Sequence, residues 1–198
     1  MFTDFKKLEL NYFAEMDTVH SSQESKRVIL TFFLTREKLF LAFIMNRCTK
    51  GAVRLIFDKL EHQLGTYDFL TLFNTILTDR GSEFGDPDSL ETGADGIIRS
   101  NIYFCDPMRS GQKGGIEQAH TMLRMVLPKK TSFEFLTQWD LRTIVDHINS
   151  TPRESLNGRT PYNVALENYG IDILKALQLR PIPPDEVNLT PKLIRSNH

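Results

Sequence analysis

Three apolar runs follow one another within the first fifty residues, and their succession constrains the fold more than any other feature of the chain. "FAEMDTVH" (13–20), "VILTFFL" (28–34) and "FLAFIMN" (40–46) are rich in β-branched and aromatic residues, the side chains that best fill a pleated surface. The polar link "TREKL" is short enough for an antiparallel hairpin between the second and third runs, and "HSSQESKR" reads as a turn between the first and second. The chain is therefore expected to begin as a meander. "TKGAVRLIFDKLEHQLG" then sets Ala52, Leu55, Ile56, Leu60 and Leu64 at helical spacing, with Thr49 as N-cap and Gly65 as the stop.

A helix between strands favours a parallel return. "LFNTILT" (72–78) is thus read as a fourth strand beside the first, with Asp79 at its carboxyl end, and "NIYFCDP" (101–107) as a fifth, closed by Pro107. The glycine-rich "SGQKGG" leads into a helix from Gly115 to Leu127, stopped by Pro128, with Glu117 in its first turn. A helix over 135–149 carries Leu141, Ile144, Val145 and Ile148 on one stripe, and Thr160 with Pro161 starts another. The end, "RPIPPDEVNLTPKLIRSNH", is punctuated by proline and expected to be extended, packed on the body or on a partner. This order of elements predicts an α/β fold, a ribonuclease H-like mixed five-stranded sheet flanked by helices. Residues 1–10 would be a lead-in, 11–168 the core, and 169–198 a C-terminal helix and tail.

Composition agrees with one full hydrophobic core: 198 residues, 40% hydrophobic and 25% charged. Cys48 and Cys105 are too few for a disulfide framework and lack the spacing of a zinc motif. No apolar leader segment opens the chain and no run reaches the ~18 apolar residues of a membrane helix, so no membrane partner and a cytoplasmic location are expected. The net charge is −1, but it is unevenly spread: residues 1–108 hold 12 Lys and Arg against 16 Asp and Glu, and residues 109–198 hold 12 against 9. The second half is the more cationic face available to a polyanion.

Three acids ask for a common explanation. If the first and fourth strands pair in parallel, Asp17 and Asp79 are neighbours, and Glu117 can reach the same spot from its helix. Taken singly, Asp17 could be an edge acid, Asp79 a turn residue and Glu117 an acid favoured by the helix dipole. Taken together they resist ionising unless cations neutralise them, and an all-oxygen donor set prefers Mg²⁺ or Mn²⁺ to zinc or copper. Two such ions about 3.5–4 Å apart serve in-line displacement at phosphodiesters.

The segments "EMDTVHS", "ILTDRGSEF", "YFCDPMRSGQKGGIEQ" and "NSTPRESLNGRTPYNVAL", in this order, resemble the successive motifs of the catalytic core of insertion sequence 30 family transposases, within the DDE integrase-like superfamily. The resemblance covers roughly residues 12–168 and includes Asn149, Pro152, Arg153, Leu156, Thr160 and Pro161 of the last motif. It implies that Asp17, Asp79 and Glu117 are a catalytic, metal-binding triad for two Mg²⁺ ions, with Mn²⁺ able to substitute. It also implies metal-dependent DNA cleavage and strand transfer, with DNA and further transposase copies, identical or full-length, as partners, on the nucleoid when bound to DNA. The chain departs from the family at Ala14, where Trp is usual, at Arg80, where Asn is usual, and around the third acid, where Ile116, Gln118 and His120 replace asparagines. The family's N-terminal helix-turn-helix region is expected to be missing, since only sixteen residues precede Asp17. The alternative is accordingly a truncated, inactive remnant that binds DNA or a full-length transposase; a nuclease of the same fold is a third reading.

Candidate DNA contacts are Lys113, Arg124, Lys129 and Lys130 around the third-acid helix, side chains of the kind that hold phosphates. Arg109 in the glycine-rich loop and Arg153 in the last motif join them. Arg80 either meets a phosphate or weakens metal binding, and His120 is either a DNA contact or a helix-surface histidine. Trp139 is expected to pack rather than to stack on a base.

Overall fold

The meander forms as its composition dictates. In this computed structural model, which describes residues 2–21, 25–107 and 110–195, strands β1 (Ala14–His20), β2 (Val28–Leu34) and β3 (Leu39–Met45) pair antiparallel in sequence. β4 (Thr75–Thr78) and β5 (Asn101–Phe104) add in parallel on the other side of β1, giving one mixed sheet in the order β3-β2-β1-β4-β5. The fold is thus the α/β, ribonuclease H-like sheet anticipated. β2 is buried along its whole length, as befits a strand flanked on both sides and covered on both faces.

The helices are α1 (Phe2–Lys7), α2 (Lys50–Leu64), α3 (Thr66–Phe73), α4 (Pro87–Glu91), α5 (Gly114–Val126), α6 (Gln138–Asn149), α7 (Pro161–Ala176) and α8 (Lys192–Arg195). α2 starts where Thr49 accepts the Ala52 amide and stops at Gly65, whose φ of 80° an L side chain rarely adopts. Its buried face is centred on Val53, Phe57 and Leu60; of the expected stripe Leu60 is buried and Ala52, Ile56 and Leu64 pack partly buried against the core, but Leu55 is 68% exposed. Phe57 outcompetes it by joining Phe32, Phe69 and Phe73 in a chain of ring contacts. The fourth strand is shorter than expected because Leu72 and Phe73 end α3, where they are buried together with Phe69. Arg99, fully buried, ties this side together by donating to Asp58, Glu61 and the carbonyls of Ser89 and Leu90.

On the opposite flank, α6 begins in a capping box of Thr137 and Asp140 and buries the predicted Leu141, Ile144, Val145 and Ile148. Asn149, fully buried, both donates to the Phe40 carbonyl at 2.8 Å and accepts the Phe40 amide at 2.9 Å, fixing the helix to β3. Trp139 does not pack inside: it is 54% exposed, and the Arg180 guanidinium covers its ring at 4.7 Å. The tail lies along α6, where Asp146, Ser150 and His147 accept the amides of Arg180, Ile182 and Asn188. Among the described residues no helix is long and apolar enough to cross a membrane.

Candidate active site

Parallel pairing of β1 with β4 sets the site. Ala14 lies opposite Ile76 and Glu15 opposite Leu77, so the same step carried two residues further faces Asp17 with Asp79. The Thr78 hydroxyl, donating to the Met16 carbonyl at 3.0 Å, extends the join to that point. Each acid is oriented by one of its own oxygens: Asp17 Oδ1 accepts the Thr18 amide at 2.8 Å, and Asp79 Oδ1 accepts the Gly81 amide at 2.8 Å. Both Oδ2 atoms then point at one place.

A cation sits there. Lys113 Nζ lies 3.0 Å from Asp17 Oδ2 and 3.1 Å from Asp79 Oδ2, and its side chain is 1% exposed. Burial opposes the ammonium charge, but Asp17 and Asp79 together outweigh it and hold the lysine pKa above its ordinary value. Asp17 is displaced upwards because its burial is only partly offset by Lys113, with Asp79 adding repulsion. The pair therefore behaves as a cation trap whose occupant here is the protein's own amine.

Glu15 was not foreseen as part of this assembly. Its buried carboxylate accepts the Ile116 amide at 2.6 Å, and Gly115 contributes a second backbone donor, so β1 itself caps the first turn of α5. Burial raises the Glu15 pKa against these amides and the charge of Lys113. The sequence held a signal: Glu15 and Asp17 share a strand face by their period of two, and an acid that far inside a buried strand needs a donor. Gly115 permits the approach, since a Cβ there would collide with the Phe33 ring and stand 3.0 Å from Glu15 Oε2.

Glu117 lies in the first turn of α5, one turn beyond Lys113, with its carboxylate exposed. No hydrogen bond or ion pair among the described residues joins that carboxylate to Asp17 or Asp79. His120, about one turn beyond Glu117, points inward: its Nε2 is 2.8 Å from Thr31 Oγ1, and its ring meets Phe40 edge-on. Because the Thr31 hydroxyl spends its proton on the Asp17 carbonyl at 3.0 Å, His120 must be the donor, and so carries its proton on Nε2. Burial first, then Lys113 and Arg124, push its pKa down to about 4.

The other cations divide by what they already hold. Arg124 donates to the His20 carbonyl at 2.6 Å and lies over Phe133. Arg153 donates to the Ile148 carbonyl at 3.1 Å and to Met122 Sδ. Arg80, Lys129 and Lys130 are exposed, and Arg109 falls outside the described residues. Gln112 closes the glycine-rich loop by exchanging two hydrogen bonds with Asp106.

The sequence matches the transposase of insertion sequence element IS1086 from Cupriavidus metallidurans at 36% identity over 93 residues, 47% of this chain and 26% of that one. It also matches the transposase InsI of element IS30A from Escherichia coli at 35% identity over 63 residues, 32% of this chain and 16% of that one. The chain is a homologue of these insertion sequence transposases. It covers only a minor part of their length. No protein-family model matches it. Among solved structures, the catalytic core domain of BIV integrase superposes with a TM-score of 0.53 at 19% identity, covering 79% of this chain and 94% of that one. The HTLV-2 integrase catalytic core domain, solved in complex with magnesium, gives 0.50 at 13% identity, covering 78% and 95%. At such identities the likeness is one of fold: this homologue of the transposases has the architecture of an integrase catalytic core.

Proposed function

We propose that the chain is the catalytic core of a DNA transposase, with residues 11–168 as the core and 1–10 and 169–198 as its flanks. It would cleave phosphodiesters at element ends and transfer the freed 3′ strand to target DNA, acting in the cytoplasm on nucleoid DNA as a homo-oligomer or beside full-length transposase. The observation that carries this reading is the convergence of Asp17 Oδ2 and Asp79 Oδ2 on a single cation position, now filled by Lys113 Nζ. Homology to insertion sequence transposases supplies the reaction class.

The donor set fits a hard divalent ion. Two carboxylates oriented by backbone amides, with no sulfur or imidazole between them, suit Mg²⁺ or Mn²⁺, and the ammonium shows that positive charge is accepted there. Asp17 and Asp79 would hold the ions, and Glu117, exposed on the first turn of α5, would complete the set. Two such ions supply a deprotonated water or 3′-hydroxyl and neutralise the leaving oxygen of an in-line displacement.

The remaining work falls to the chain. Lys113 has to withdraw from the acids, and its glycine neighbours Gly114 and Gly115 leave it next to the exposed end of α5, where it can meet a DNA phosphate instead. Arg80, Lys129 and Lys130 are free to do the same. Thr31 and His120 hold the Asp17 backbone from behind, which keeps the carboxylate aimed while its counter-charge changes.

The test uses a branched duplex that mimics a strand-transfer product, along with duplex ends from the parent element and a plasmid target, in Mg²⁺ or Mn²⁺. Wild-type protein should resolve or form the joint, and Asp79→Asn and Glu117→Gln should abolish it. Metal binding by calorimetry that is unchanged in Asp17→Asn, together with no joint on either substrate, would overturn the proposal.

A further inference from the structure

A second cluster of metal-ligating groups lies beside the Asp17–Asp79 pair. His20 ends β1, Cys48 precedes the cap of α2, and Glu83 sits in the 3-10 turn Ser82–Phe84 that follows Asp79. One ligand atom from each lies within 4.8 Å of the other two. Glu83 is buried, and the Thr18 hydroxyl donates to its Oε1 at 2.7 Å while standing 3.4 Å from His20 Nε2. The Cys48 thiol faces the same carboxylate; its own burial, then Glu83, push its pKa up to about 11.

The donor chemistry differs from that of the aspartate pair. Imidazole, thiol and one carboxylate together form the set that borderline ions such as Zn²⁺ and Co²⁺ take, and that Mg²⁺ avoids. We propose that His20, Cys48 and Glu83 form a separate site for a borderline transition-metal dication, chiefly Zn²⁺. Tetrahedral ligands at bond lengths of about 2.0–2.3 Å stand roughly 3.5 Å apart, so the cluster has to contract by only about an ångström, and exposed His20 has room to turn in. Binding releases the Cys48 proton to solvent and leaves the fourth position to water on the His20 side. An ion there would clip the end of β1 to the entrance of α2 and to the turn carrying Glu83. That turn begins three residues beyond Asp79.

Co²⁺ is the probe, because a thiolate ligand gives it a charge-transfer band in the near ultraviolet. Titration of the full chain should give this band with saturation at one equivalent, and Zn²⁺ but not Mg²⁺ should erase it. Cys48→Ser should abolish the band, His20→Asn should weaken Co²⁺ binding by about tenfold or more, and Cys105→Ser and Asp79→Asn should leave it in place. No band in the wild type, a band surviving Cys48→Ser, or a band lost in Asp79→Asn would overturn the site, the last by assigning the ion to the aspartates. These outcomes are independent of whether the chain joins DNA.

Discussion

Lys113 Nζ stands 3.0 Å from Asp17 Oδ2, inside the protein and nearly closed off from water. It neutralises two carboxylates that would otherwise repel each other across the β1–β4 join. Lys113→Met should therefore destabilise the metal-free chain by about 2 kcal/mol, less than the roughly 3–5 kcal/mol of a fully buried pair, because the Asp79 side chain is 45% exposed. Melting curves in chelator and in Mg²⁺ check this: the Mg²⁺-induced rise should be larger in the variant than in the wild type. Equal rises would mean that lysine and metal do not compete.

His120 makes acid sensitivity measurable. Its folded-state pKa of about 4 lies below the ordinary 6.5, so its contribution is complete above pH 6.5 and is lost as pH falls from there through about 4, the window in which mainly the unfolded chain is protonated. The difference amounts to roughly 3 kcal/mol. Asp146, raised to about 6 by burial, works in the opposite sense, so the comparison is between variants. Urea unfolding from pH 7 to pH 4 should lose less stability in His120→Gln than in the wild type, and parallel curves would contradict the assignment.

Gly115→Ala tests the close packing of α5 on β1. The added methyl meets the Phe33 ring and Glu15, and overpacking of this kind costs about 1–3 kcal/mol. Differential calorimetry should show the loss, and Phe33→Leu in the same chain should return part of it. A second change that makes matters worse by its full separate cost would show that the two sites do not touch.

Asn149→Leu leaves the Phe40 amide and carbonyl without their buried partners. Each stranded group costs about 1–3 kcal/mol, so the midpoint of urea unfolding should drop with little change in slope. Amide exchange at Phe40 should accelerate well beyond that of Ile76 in β4.

Strand order and the pairing of Asp17 with Asp79 were legible in the sequence because period-two runs, a helix and a parallel return leave few topologies. α3 was not legible: Phe69, Leu72 and Phe73 run straight into Thr75, and a short apolar stretch has the same appearance in a helix and in a buried strand. Leu55 misled for a similar reason, since Ala52, Leu55 and Ile56 mark out a stripe one residue out of phase with the face chosen by Phe57. At the site, Asp17 and Asp79 stood out by their order. Glu15 did not, because its partners are backbone amides, and amides carry no letter in a sequence. Lys113 was read as a surface cation, for nothing local betrays that a lysine after glycine-rich residues will turn into the sheet.

The hydrogen bond from the Ile116 amide to Glu15 has a mechanical consequence. It welds one acid-bearing strand to the base of the helix that bears Glu117, so any slide of the strand drags the helix with it. In the metal-binding role proposed for Asp17 and Asp79, adjustment to ions of different radius would then fall to the Asp79 turn, which would make that loop the caliper of the centre.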